Sequence, residues 1–247
     1  MDQTRRQLLT GLSVVGTAAL LVGCRNPGNS GGATNKENKS EQADEAAAEI
    51  SAPEDLMREH GILRRVLIVY RESAVKLRQD PNSVPLDVLE KAAQLFRAFG
   101  QDYHEKKLEE AFVFPSIKKS GNVTSVYADV LTAQHARGRE ITDFFLAVTA
   151  ADKIPATKVE AFITALESFA RMYEHHAAIE DTIIFPAWKE AIGSQELDDM
   201  SAKFEELEEE MFGEDGFEAA LRRIAEIEES LGLANLGMFT APAPPPK

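Results

Sequence analysis

The residues of this 247-residue chain that could do chemistry are five histidines, His60, His104, His135, His175 and His176, and the acids spaced around them. In the stretch Tyr173-Glu174-His175-His176-Ala177-Ala178-Ile179-Glu180, His176 and Glu180 lie one helical turn apart. Both fall in the row Phe162, Leu166, Phe169, Tyr173, His176, Glu180, Ile183, Ala187, whose alternating steps of four and three mark a helix seam facing a bundle interior. An imidazole and a carboxylate in such an apolar row are costly to bury unless something satisfies both. A metal ion does so.

The pair has a counterpart. In each of two stretches a histidine is followed five residues later by Glu (His104 and Glu109, His175 and Glu180), then by an acid (Glu110, Asp181), then by Phe-Pro. A single histidine precedes each copy, His60 the first and His135 the second. Four helices each giving an imidazole to a shared interior, two of them adding a carboxylate, make a dinuclear-metal arrangement. Imidazole suits iron, zinc, copper and nickel, and a carboxylate can bridge two cations. With nitrogen and oxygen donors and no cysteine ligands, two non-haem iron ions are favoured over a closed zinc site, with manganese or zinc as second choices. The metal-ligand candidates are therefore His60, His104, Glu109, His135, His175, His176 and Glu180.

The phase of the two copies differs. His104 and Glu109, five residues apart, would point about 140° apart on a regular α-helix. The inner row shifts there as well, from Phe99 and Tyr103 to Glu109 and Phe112. A one-residue π-bulge reconciles both. Glu105 stands where His176 does in the other copy and is a lesser candidate; His175 is either a fifth imidazole or a polar rim residue. A ferritin-like di-iron site would need Glu three residues before a histidine on two helices, and none of the five histidines has one.

The elements that must position these residues are helices. Period-three-and-four rows predict helices over about 53–79, 86–114, 123–151 and 155–192, and no stretch shows the period of a strand. The fold class is all-α, an up-down four-helix bundle over 51–192, opened by the capping-box pattern Ser51-Ala52-Pro53-Glu54. Gly138, one turn from His135, leaves room for a neighbouring side chain or a ligand. An acidic helical extension follows over 193–233, its run Glu205–Glu210 reading as a solvated face, and then a Pro-rich tail over 234–247.

The beginning of the chain reads as an address. Thr4-Arg5-Arg6-Gln7-Leu8-Leu9 is a twin-arginine export pattern, followed by an apolar run too short to span a membrane. Leu21-Val22-Gly23-Cys24 has the form of a lipobox, which makes Cys24 a lipidation site and 1–24 a signal peptide. Residues 25–50, rich in Gly, Asn, Ser, Lys and Glu, are a tether. The expectation is an exported bacterial lipoprotein, periplasmic or at the cell surface, or soluble in the periplasm if only cleaved. Cys24 is the chain's one cysteine, so no internal disulfide can form. The net charge is −14, and removing Asp2, Arg5 and Arg6 with the signal takes it to −15. Such a surface disfavours nucleic acid and anionic membrane, leaving the lipid as the membrane attachment.

The order His60; His104 with Glu109; His135; His175/His176 with Glu180, with Phe-Pro after both His/Glu motifs, resembles the hemerythrin-like (HHE cation-binding) domain over about 51–190. The resemblance implies a four-helix bundle around a di-iron centre with oxo or hydroxo and carboxylate bridges. It also implies binding or sensing of dioxygen, or action on nitric oxide or peroxide. Three functions are therefore expected: a module that binds or senses O2 or a related small ligand; an oxidoreductase acting on peroxide or NO, with an electron donor the sequence does not name; or a metal-storage or structural bundle.

Overall fold

The computed structural model describes residues 50–121, 124–213 and 215–245. The expected signal, the lipidation site Cys24 and nearly all of the tether lie outside them. Among the described residues the regular structure is entirely helical, without strands, and the fold is all-α, built on four packed rods.

The first rod, α1 (Ala52–Gln79), starts where Ser51 donates its backbone N–H to Glu54, closing the expected capping box, with proline in the first turn. The second rod is α2 (Leu86–Leu95), a π-helical segment (Phe96–Val113) and α3 (Phe114–Ser120), ended by Gly121 at φ 66°. The third is α4 (Ser125–Thr149). The fourth is α5 (Val159–Ile179), a π-helical turn (Glu180–Ile184) and the first part of α6 (Phe185–Phe212), which kinks at Gly193 (φ 74°, ψ 172°). The first rod packs on the second and fourth, and the third on the second and fourth, so the four form a closed ring.

The Phe-Pro motifs account for the π turns. Pro115 and Pro186 lack an N–H, and in a regular helix their rings would meet the carbonyl four residues back. The chain widens just before each: the N–H of Phe114 bonds to the carbonyl of Glu109, and that of Phe185 to the carbonyl of Glu180, both five residues back. The single bulge expected in the second helix is thus part of a longer widened segment, and the fourth helix carries a widened turn that its regular seam did not announce.

The core between the rods is aromatic. Phe96, Phe145, Phe162 and Phe169 are fully buried and meet mostly edge to face. The second part of α6 and α7 (Gly216–Ser230) lie against the first and second rods. Trp188 stacks on Phe204, and Arg65 donates to both carboxylate oxygens of Glu228. The acidic run is not wholly a solvated face. Glu208 is buried and accepts the N–H of Phe217 in the first turn of α7, satisfying a donor that a helix start leaves open.

Candidate metal centre

Four histidine rings, one from each rod, converge on two carboxylates in the bundle interior. His60 (α1), His104 (π segment), His135 (α4) and His176 (α5) are buried, as are Glu109 and Glu180. The Nε2 atoms approach in pairs, His60 with His104 and His135 with His176, each at 3.0 Å. Glu109 spans the pairs, with Oε1 3.3 Å from Nε2 of His104 and Oε2 3.3 Å from Nε2 of His135. Glu180 does the same from the other side, its Oε2 3.0 Å from His176 and 3.4 Å from His60. Two donor groups result, Glu109, His135, His176 and Glu180 in one and His60, His104 and Glu109 in the other, each with ligand atoms within 4.8 Å of one another.

Every ring is held from behind. Nδ1 of His60 meets Asp181 at 2.7 Å, His104 meets Glu59 at 2.6 Å, His135 meets Glu110 at 2.9 Å, and His176 meets the Gln134 side-chain oxygen at 2.9 Å. An ionised carboxylate or an amide oxygen can only accept, so each Nδ1 carries a proton, and a ring that gives up its second proton turns a bare Nε2 lone pair inward. Phe185 stacks on His60 and Phe114 on His135, with ring centroids 5.4 Å apart in both cases. The phenylalanines of the two Phe-Pro motifs thus pack against the lone histidines.

These contacts obey an approximate two-fold relation that exchanges the first two rods with the last two. His60 maps to His135, His104 to His176, and Glu109 to Glu180. The supports map as well: Asp181, which also pairs with Arg64, to Glu110, which also pairs with Arg139. Glu59 maps to Gln134, and there the chemistry differs.

Without a positive centre this arrangement is unfavourable. The Nε2 atoms face one another in pairs at 3.0 Å, and no oxygen of Glu109 or Glu180 has a hydrogen-bond partner although all four are buried. Burial would push both carboxyls up. The imidazoles outweigh it, chiefly His104 and His135 for Glu109 and His176 for Glu180, and both carboxyls stay below their ordinary value. Burial would likewise push the histidines down, yet Glu105, Glu109 and Glu110 lift His135 to about 10, Glu109 and Glu59 lift His104 well up, and Asp181 and Glu180 lift His60. The interior field favours positive charge. The residues fit a pair of cations.

The sequence candidates His60, His104, Glu109, His135, His176 and Glu180 are brought together. His175 is not. It is exposed on the outer face of α5, one residue and so about 100° round the helix from His176, and its expectation as a ligand is corrected. Glu105 is buried beside the site: its Oε1 accepts from the Tyr173 hydroxyl at 2.7 Å and its Oε2 from Arg139 at 3.1 Å. With Glu110 and His135 it forms a third group of possible donors. Glu59 and Gln134 escaped sequence reasoning, although each directly precedes a seam histidine. Glu110 and Asp181 were seen as part of the repeat but given no role. A cavity of about 10 Å³ adjoins the centre, lined by His60, His104, His176, Glu105 and Tyr173 and by the apolar Leu63, Leu67 and Ala177, with the half-exposed Arg64 at its edge.

The family model for the hemerythrin HHE cation binding domain matches residues 51–188. The chain is also 39% identical, over 96% of its length and 90% of theirs, to uncharacterized proteins of Mycobacterium bovis and of two Mycobacterium tuberculosis strains. No solved structure matches it.

Proposed function

The chain belongs to the hemerythrin HHE cation-binding family, and from that premise we propose that its centre holds two iron ions and binds or senses dioxygen or a related small ligand. The observation that carries the reading is Glu109, whose two oxygens face histidines of opposite pairs, as a carboxylate shared by two cations would. His60 and His104 would hold one ion, His135 and His176 the other, with Glu109 and Glu180 between them. Such a pair supplies open coordination and electrons to a small molecule. Nitrogen and oxygen donors without thiolate favour iron over zinc.

The chain's own residues restrict what can enter. A cavity of about 10 Å³ is no larger than one water-sized molecule needs. Dioxygen, nitric oxide and peroxide are of that order. Leu63, Leu67 and Ala177 give the cavity an apolar wall, which suits an uncharged diatomic. The two-fold relation breaks here too: Glu105 follows His104, while Ala177 follows His176 and leaves space. Glu105 is thereby available as a further donor on the His135/His176 side, and the free room is bounded by His60, His104 and His176.

A second reading, an oxidoreductase acting on peroxide or NO, is favoured by one observation. The Tyr173 hydroxyl and Glu105 lie hydrogen-bonded at the cavity wall, where a proton could be held close to a bound ligand. We also assign the protein to the exterior of the bacterial cytoplasm, tethered by lipid at Cys24, on the twin-arginine and lipobox patterns. Among the described residues no helix is long and apolar enough to cross a membrane.

The test is elemental analysis of protein purified without added metal, followed by visible spectra in air, after dithionite and after re-oxygenation. Iron with a spectrum that returns on each cycle supports reversible binding, and consumption of peroxide or NO supports the second reading. A colourless, iron-free protein overturns both and leaves a storage or structural bundle.

A further inference from the structure

We propose that Glu59 is a tuning residue of the metal centre: a carboxylate whose charge reaches the cation held by His60 and His104 through the His104 ring, with no counterpart at the other position. The inference rests on the di-iron reading above.

Three of the four ring supports are carboxylates, and two of those are neutralised in place. Asp181 pairs with Arg64, and Glu110 with Arg139. Glu59 is different. It is fully buried, one oxygen lies 2.6 Å from Nδ1 of His104, and the other has no hydrogen-bond partner. Among the described residues no Lys or Arg pairs with it, and its charge is met by the His104 ring, by His60 beside it and by whatever those rings bind. At the related position Gln134 meets His176 with a neutral amide. Glu105, the remaining buried acid, lies toward the His135/His176 side and is held by Arg139 and the Tyr173 hydroxyl. Its charge acts at the cavity wall and not through an imidazole.

A buried charge with one hydrogen-bonded ring to act on is an expensive way to hold that ring in place, since an amide would do the same. What the charge adds is donor strength. A carboxylate behind a metal-binding imidazole raises the basicity of its Nε2 and stabilises higher charge on the metal. Were a reduced pair of ions to lose one electron to ferricyanide, which becomes ferrocyanide, Glu59 would stabilise the new positive charge from behind His104. No bond is made or broken at Glu59, and the proton stays between it and Nδ1.

The experiment compares Glu59→Gln and Gln134→Glu, each loaded with 57Fe, by iron content, a ferricyanide titration and Mössbauer spectroscopy. Glu59→Gln keeps the shape and the acceptor oxygen, so iron should be retained. Its midpoint should move up, and one of the two quadrupole doublets should change while the other stays. Gln134→Glu should move the midpoint down and alter the other doublet. If Glu59→Gln fails to fold or bind iron, the Gln134→Glu arm decides, and an unmoved midpoint there overturns the proposal. Iron-bound variants whose midpoints and doublets both match wild type overturn it alone, as would the same doublet responding to both substitutions. Wild-type protein free of iron overturns the preceding reading and this one with it.

Discussion

The hydroxyl of Tyr173 occupies the space that a side chain at Gly138 would need: a Cβ added there would lie 1.9 Å from the hydroxyl oxygen and 2.7 Å from the ring carbon bearing it. The glycine of α4 is thus what lets the tyrosine of α5 reach Glu105. Gly138→Ala should force the ring aside and cost about 1–3 kcal/mol, as overfilling a packed interior does. Urea unfolding of the two proteins checks this. Equal midpoints would mean that the ring has room to move.

Among the described residues Glu109 belongs to both donor groups, with one oxygen toward each pair of histidines. Glu109→Ala should therefore lose both cations, whereas His60→Ala should spare the His135/His176 position. Elemental analysis of the purified variants gives the answer. Iron at the wild-type level in Glu109→Ala would remove the shared-carboxylate assignment.

His175 and His176 make a sharper comparison, because they are chemically identical neighbours. His175→Ala should keep its metal, being exposed, and His176→Ala should lose it. Equal loss in both would show that the wrong ring has been assigned.

That pair also shows what the sequence made legible. The seam row through Tyr173, His176 and Glu180 named the inward residue because that stretch of helix is regular up to Glu180. His104 and Glu109 needed the helix to widen, and the mismatch of their spacing with the inner row announced it. The supports were harder. Glu59 and Gln134 sit beside a ligand in sequence but reach sideways to a ring on the next rod, and periodicity within one helix cannot report a contact between helices. The Phe-Pro repeat was visible, but its role depends on backbone bonds five residues long. The burial of Glu208 depends on where α7 begins, which no local pattern in the acidic run reveals.

The site's charges give opposite pH responses with and without metal. Burial opposes the charged form of His135, yet Glu105, Glu109 and Glu110 hold it up to about 10, and His60 and His104 are raised as well. A histidine raised on folding stabilises fully below its unfolded value of about 6.5 and loses that contribution as pH climbs to the folded value. Metal-free protein should therefore lose stability between about pH 6.5 and about 10. Glu109 and Glu180, held low, contribute above the unfolded carboxyl value of about 4.3 and lose that contribution on further acidification. A bound cation instead needs deprotonated rings, so loaded protein should release metal as pH falls. Melting curves of chelated and iron-loaded protein across this range should slope in opposite directions. Parallel slopes would exclude the histidines as the titrating groups.

Ala177 faces the cavity, and a larger residue there should close it. Ala177→Leu should keep its iron but bind azide, read by absorbance, about tenfold or more weakly, the equivalent of roughly 1–3 kcal/mol of crowding. Unchanged azide affinity would place the entering ligand elsewhere.

The supports behind the rings have a mechanical consequence. His60 on the first rod is held by Asp181 on the fourth, His104 on the second by Glu59 on the first, His135 on the third by Glu110 on the second, and His176 on the fourth by Gln134 on the third. The four links join end to end into a belt with no free end, and withdrawing any rod cuts two of them. A half-assembled chain has an open girdle: only once the last helix has closed the circle are all four imidazoles steadied at the same time.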